Sequence, residues 1–225
     1  MQTIIFQNQI VQKNYQLPDE AMDLCKILAW YIYSINTHIM KILCTGNPNV
    51  MGIAHAVKRV WPDASFISRT NGYDLATQEG LDRFKETVVN YNIFINNSQV
   101  VPGTQETLLN ITSKVWTTGH VFNIGSVAEY KRWEWFDPPY SAEKKSLREL
   151  SLDLCNENFK TTHIVVGGFQ DMSPNTAHKM DPINIVNTIK WILESEFDVP
   201  LIGIERLADH KNYWKGKQDE AKNTQ

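Results

Sequence analysis

Cysteine is scarce in this 225-residue chain: Cys25, Cys44 and Cys155 are odd in number, widely spaced and form no Cys-x-x-Cys pair. That excludes a disulfide framework and a cysteine zinc site, and the thiols read as small buried apolar groups in a reducing compartment. The six histidines show no His-Glu-x-x-His pattern or other ligand spacing, so no metal is expected. Charge of one sign is also lacking. A formal net charge of -3 gives no electrostatic case for nucleic acid or an acidic membrane as partner. No apolar run reaches the ~18 residues of a spanning helix. The richest, Ile27 to Ile35, is short and broken by Ser34. The N-terminus has neither the basic start nor the small-residue cleavage site of a secretory signal. No internal repeat or low-complexity segment is evident. These absences leave a soluble cytoplasmic protein, and 225 residues at 42% hydrophobic suffice for one ordinary globular core.

What is present is an alternation of short apolar strands and amphipathic helices from Met40 onward. Strands are expected at Lys41–Cys44, Ser65–Ser68, Asn92–Asn96, Val121–Ser126, His163–Val166 and Pro200–Ile204. Helices are expected at Gly52–Trp61, Thr77–Asn90, Thr104–Trp116, Ala142–Asn156 and Ile183–Glu194. The second of these carries an apolar stripe of Leu81, Phe84, Val88 and Val89. Nearly continuous apolar strands alternating with helices predict an α/β, doubly wound parallel sheet with helices on both faces. Residues 1–39 stand apart as an N-terminal extension with a helix over about Pro18 to Ile35, either a packing element at a subunit interface or the product of an upstream start. The body of the fold is expected over 40–208, and the Lys-, Asn- and Gln-rich segment 209–225 reads as a partly disordered tail.

Two segments carry candidate chemistry. Thr45-Gly46-Asn47-Pro48-Asn49-Val50-Met51-Gly52 lies between the first strand and the first helix, where a doubly wound sheet receives a dinucleotide. Gly46 permits the turn and Gly52 close helix packing; an ordinary strand-to-helix loop is the plainer alternative. The second segment is Tyr140-Ser141-Ala142-Glu143-Lys144, with Ser126 fourteen residues earlier at a strand end. A tyrosine that exchanges a proton near neutral pH needs a cation beside it, since its ordinary pKa is about 10, and a lysine at i+4 supplies one on the same helix face. The spacing alone is weak evidence, because Tyr213-Trp214-Lys215-Gly216-Lys217 repeats it in a polar tail.

Taken in order from Met40 to about Ile204, these pieces resemble the short-chain dehydrogenase/reductase family, a Rossmann-like fold. Thr45-Gly46 with Gly52-Ile53-Ala54 is similar to its Thr-Gly-x-x-x-Gly-x-Gly loop. Asp74-Leu75 resembles its adenine-contacting Asp-Val pair, and Asn96-Asn97-Ser98 its Asn-Asn-Ala-Gly strand end. Asn110, Ser126, Tyr140 and Lys144 align with its Asn-Ser-Tyr-Lys tetrad, and Gly167-Gly168 with its Pro-Gly turn. The resemblance implies an oxidoreductase that moves a hydride between a nicotinamide and a small carbonyl or alcohol substrate. Tyr140 would be the general acid, Lys144 would lower the phenol pKa and hold the nicotinamide ribose, Ser126 would bond the carbonyl, and Asn110 would hold a water relay. Cofactor contacts are expected from Gly46, Asn47, Asn49, Met51, Gly52, Arg69, Thr70, Asp74, Leu75, Asn96, Asn97, Lys144 and Gly168. Arg69, at the tip of the second strand with no carboxylate nearby, favours the 2′-phosphate of NADP, with NAD left open. A surface arginine is the plainer reading of that residue.

The departures from the pattern are specific. Val50 stands at the second glycine, where its side chain would crowd the pyrophosphate path, and Asn47 and Asn49 can take left-handed backbone and reroute the loop. Phe66–Thr70 runs almost directly into Tyr73–Leu75, so a helix is deleted there. The segment from Asn96 to Ser126 is shortened as well, which leaves homo-oligomerisation open. The aromatic run Tyr130–Pro139 is expected to border a substrate pocket or to pack in the core, and Phe169–Asp181 to form a short lid. Two alternatives stay open: a non-catalytic relative that binds a nucleotide or a protein partner, and, ranked lower, a sugar-nucleotide epimerase or dehydratase.

Overall fold

The computed structural model describes residues 40–130, 138–170 and 179–205. Residues 1–40 and 41–225 form separate units, and the architecture described is that of the second. The helix expected over residues 18–35, the tail from 209, most of the aromatic run and the middle of the expected lid lie outside the described residues.

Six strands form one parallel sheet: β1 (Ile42–Thr45), β2 (Ser65–Ile67), β3 (Ile93–Asn96), β4 (Gly119–Ile124), β5 (Phe159–Val166) and β6 (Leu201–Ile204), in the order β2-β1-β3-β4-β5-β6. Five helices connect them: α1 (Ile53–Val60), α2 (Gln78–Val88), α3 (Thr104–Val115), α4 (Pro138–Leu154) and α5 (Ile183–Leu193). The period-2 alternation of the strands splits the core in two. Ile42, Cys44, Ile95, Phe122, Ile124, Ile164 and Val166 pack under α1 and α5. Leu43, Phe94, Val121 and Phe159 face the opposite way, onto Phe84 and Val88 of α2, Leu108 and Leu109 of α3 and Leu147 of α4. The strand order reverses between β1 and β3, and at such a switch point the two flanking loops diverge and open a crevice above the strand ends.

Local chemistry explains most element boundaries. Thr77 caps α2 by accepting the Gly80 N–H on its hydroxyl at 3.1 Å. Lys58 and Arg59 close the last turn of α1, where cations meet the helix dipole favourably. After β2 the chain makes only a 3₁₀ turn, Arg69–Asn71, closed by Gly72 at φ 87°. The helix expected to be missing there is absent, and the Asn71 amide donates to Phe66 O beside β2. Most boundaries shift by one or two residues from the sequence reading, β4 among them, which ends at Ile124 and leaves Ser126 beyond the strand; two differ by four. β5 begins at Phe159 rather than His163, because Thr161 and Thr162 are buried with their hydroxyls bonded to Ser151 O and Val199 O. α4 begins at Pro138 rather than Ala142, since proline is well suited to a first helical turn, and so Tyr140 is helical.

Candidate active site

The crevice above the strand ends holds two cavities that share Gln99. One, of about 410 Å³, is bordered by Ser126, Tyr140, Lys144, Asn97 and Gly168. The other, of about 390 Å³, is bordered by Gly46, Asn47, Ser68, Arg69, Thr70 and Leu75. The β1–α1 loop lies along the second. Gly46 sits at φ 126°, and a Cβ there would stand 2.9 Å from the Ala54 Cβ, so only glycine lets strand and helix approach this closely. The buried Thr45 hydroxyl accepts from the backbone N–H groups of Asn97 and Ser98 at 2.8 and 2.9 Å, which ties the β1 end to the β3 end. No side chain caps α1.

Ser126, Tyr140 and Lys144 meet at the larger cavity. Ser126 opens the 3₁₀ turn Val127–Glu129, where its Oγ accepts the Ala128 N–H at 3.2 Å, and it borders the same cavity as Tyr140. The Ser141 hydroxyl donates to Ala128 O, so the first turn of α4 is fastened to the turn that carries Ser126. The Lys144 ammonium lies 5.4 Å from the centre of the Tyr140 ring. It donates to the Gln105 side-chain carbonyl and, at 3.2 Å, to Ile124 O. Burial lowers the Lys144 pKa to about 8, against the opposing pull of Glu129 and Glu143. The Tyr140 pKa is raised, first by burial and then by Glu129 and Glu143, with Ser126 acting the other way. The phenol thus lies above its ordinary pKa, because burial of a group that is charged only when deprotonated dominates.

Several expected contacts lie elsewhere. Asn110 is half-buried on α3, borders neither cavity, and its carbonyl accepts the Ser113 hydroxyl. Gln105, five residues earlier, reaches Lys144 instead and donates to Asn96 O and Ile124 O at 2.6 and 3.1 Å. Asn96 is buried, with its amide given to Gln105 O and Asn123 Oδ1, and only Asn97 borders a cavity. Asp74 turns its carboxylate to the Ala76 N–H, leaving Tyr73 and Leu75 on the crevice. Asn49 and Met51 are exposed and border neither cavity, and Gly52 serves as the cap position of α1. Val50 is 40% exposed and borders neither cavity, so it does not fill the crevice. Asn47 and Asn49 do not reroute the loop, since positive φ in the described chain falls on glycines alone; Asn47 instead accepts the Asn49 N–H at 2.9 Å.

Gln105 was detectable as a polar residue in the buried helical stripe of Leu108, Leu109 and Thr112. His163, a buried imidazole inside β5 that opens the apolar run His163–Val166 in the sequence, gave a similar signal. Its partner Glu129 gave none, because nothing in Val-Ala-Glu marks a buried carboxylate. The expected lid is held at both ends: Met180 N–H donates to Gly168 O at 2.9 Å and Gln170 N–H to Met180 O at 2.8 Å. Among the described residues no group of three His, Cys, Asp or Glu could hold a metal. No described helix is long and apolar enough to cross a membrane.

No family model and no curated protein sequence matches the chain. Solved structures do. A Burkholderia cenocepacia short-chain dehydrogenase in complex with NADP superposes with a TM-score of 0.59 at 11% identity, over 82% of this chain and 96% of that one. A short-chain dehydrogenase from Leptospira borgpetersenii with bound NAD+ gives 0.59 at 12% identity, over 74% and 91%. The bulky-bulky ketone specific alcohol dehydrogenase from Comamonas testosteroni gives 0.57 at 15%, over 82% and 94%. The fold is that of the short-chain dehydrogenases.

Proposed function

We propose that the chain is an NADP(H)-dependent oxidoreductase that interconverts a small carbonyl and its alcohol. One observation carries the reading: the Ser126, Tyr140 and Lys144 groups border one cavity, and a second cavity, sharing Gln99 with it, is bordered by Gly46 and Arg69. The crevice fits a dinucleotide on its own terms. A glycine turn admits the backbone closely, α1 begins without a side-chain cap, and Arg69 and Thr70 stand at the far end. Gly46 and Asn47 would border the pyrophosphate, Arg69 the 2′-phosphate, and Asn97, Lys144 and Gly168 the nicotinamide half. The cofactor, when bound, supplies the hydride chemistry.

The chain's own residues supply the proton. A phenol raised above its ordinary pKa is protonated at neutral pH, so Tyr140 stands ready as the general acid for reduction. Ser126 Oγ would bond the carbonyl oxygen and stabilise its developing charge. Lys144 orients the phenol through its ring contact and is itself held by Gln105 and Ile124 O. Ile124, Val127, Val166 and Phe169 give the cavity a largely apolar wall, which suits a small, weakly polar substrate.

A titration with NADPH and NADH, followed by nicotinamide fluorescence, tests the reading. NADPH is expected to bind more tightly, and Arg69→Ala to weaken it by roughly 10- to 150-fold, the scale of a charge-assisted contact, with NADH nearly unchanged. Absence of binding by either would sink the reading. Equal losses for both would remove Arg69 from the phosphate.

A further inference from the structure

Lys144 is 5% exposed, and its Nζ meets two neutral oxygens, those of Gln105 and Ile124. Among the described residues it has no ion pair. An ammonium withdrawn from water with only neutral acceptors keeps its proton poorly unless an anion stands near. Two carboxylates act on it through space. Glu143, its neighbour on α4, is half-buried and receives the Gln99 amide. Glu129 is different: its side chain is 0% exposed at the close of the turn that Ser126 opens. Its Oε1 lies 3.1 Å from His163 Nε2 on β5, and its Oε2 lies 3.4 Å from Arg148 Nη1, one helical turn beyond Lys144. The pair exists because position 125 is glycine; a Cβ there would overlap the His163 ring and stand 3.1 Å from Glu129 Oε1.

We propose that Glu129 is a positioning residue of the site: clamped by His163 and Arg148 behind the Ser126 turn, its carboxylate is the buried counter-ion that keeps Lys144 an ammonium. This rests on the oxidoreductase reading of Ser126, Tyr140 and Lys144. The charge acts through space, because a carboxylate out of water is screened little by solvent or salt. Glu129 raises the pKa of both Lys144 and Tyr140, and in each case more than Glu143 does. The charged and titratable groups in play are Glu129 with its partners His163 and Arg148, Tyr140 and Glu143 on α4, and Lys179 on the same cavity. The clamp also holds the turn, so Ser126 keeps its place against Tyr140.

The test is Glu129→Gln in the full chain, which keeps the shape of the side chain and removes its charge. The Lys144 titration is read from lysine ε-carbon resonances, assigned by the signal lost in Lys144→Met. The midpoint, at about 8 in the parent chain, is expected to fall by about half a unit or more. The alkaline limb of reductive turnover should move to lower pH with it, because the Tyr140 proton is then lost earlier. An unchanged Lys144 midpoint in folded Glu129→Gln protein overturns the proposal. That titration needs neither cofactor nor substrate, so it is separable from failure of the oxidoreductase reading, which would show as wild-type protein that binds no nicotinamide. If Glu129→Gln does not fold, the change is made together with Arg148→Gln, which removes the charge facing it. The midpoint should be lower in the double variant than in Arg148→Gln alone, a difference that isolates Glu129; a midpoint that is equal or higher overturns the proposal.

Discussion

The Lys144 ammonium is at odds with its surroundings, and that has a measurable consequence. Burial brings its pKa down to about 8, whereas in the unfolded chain it returns to about 10.4. Between those values the unfolded state binds the extra proton, so stability rises with pH from about 8 to about 10 and is lower, and flat with respect to this group, below 8. Lys144→Met should abolish that rise while leaving the thermal midpoint at pH 7 equal or higher, and turnover should be lost. Melting curves across this pH window check it; the same slope in parent and variant would mean that Lys144 does not titrate there. Tyr140 gives a second prediction. Tyr140→Phe should leave cofactor affinity nearly unchanged and lower turnover by roughly 10²-fold or more. Tyr213→Phe, at the other Tyr-x-x-x-Lys, should do little. Near-normal turnover in Tyr140→Phe would remove it as the acid.

Among the elements, α4 and the β1–α1 loop decide the site. α4 lines up Tyr140, Lys144 and Arg148 at intervals of one turn, so one helix face presents the phenol, the buried ammonium and the guanidinium that grips Glu129. The helix packs on β5 and on the Ser126 turn, and its inner side carries a polar seam. Along it, Asn96 bonds Asn123 at 2.9 Å, and Asn123 bonds Ser151 at 3.1 Å. Buried polar groups are tolerated where they are paired, and this chain of bonds fixes α4 against the strand ends at the cavity floor. The β1–α1 loop depends on Gly46. Gly46→Ala would force a side chain into φ 126° and bring its Cβ within 2.9 Å of Ala54. A loss of about 1–3 kcal/mol in stability is expected. Cofactor affinity should fall as well, since α1 must move away from β1. Chemical denaturation and the same fluorescence titration measure both. A variant of unchanged stability and affinity would show that the loop relaxes freely and does not frame the crevice.

For the whole molecule, the division after residue 40 supports an experiment on the body of the fold. We propose that residues 40–208 are the oxidoreductase domain, with 1–39 an extension and 209–225 a tail. A chain begun at Met40 should fold and bind NADPH with affinity close to that of the full chain, as read by circular dichroism and fluorescence. Failure to fold would place the extension in the core. The sequence by itself determined the layered α/β plan, because strand alternation and helical stripes are written in neighbouring residues and hold before any tertiary contact forms. It also set Tyr140 and Lys144 one turn apart, since an i+4 spacing is local, whereas packing brings Ser126, two residues beyond β4, to the same cavity. Only the tertiary structure decided the partners of these groups. Gln105 rather than Asn110 reaches Lys144, Asn96 turns into the interior, and Asp74 leaves the crevice to Leu75. The Glu129–His163–Arg148 clamp joins a turn, a strand and a helix that lie up to 34 residues apart. Such contacts depend on strand register and on the room left by a glycine at position 125, quantities set by packing that no local pattern along the chain encodes.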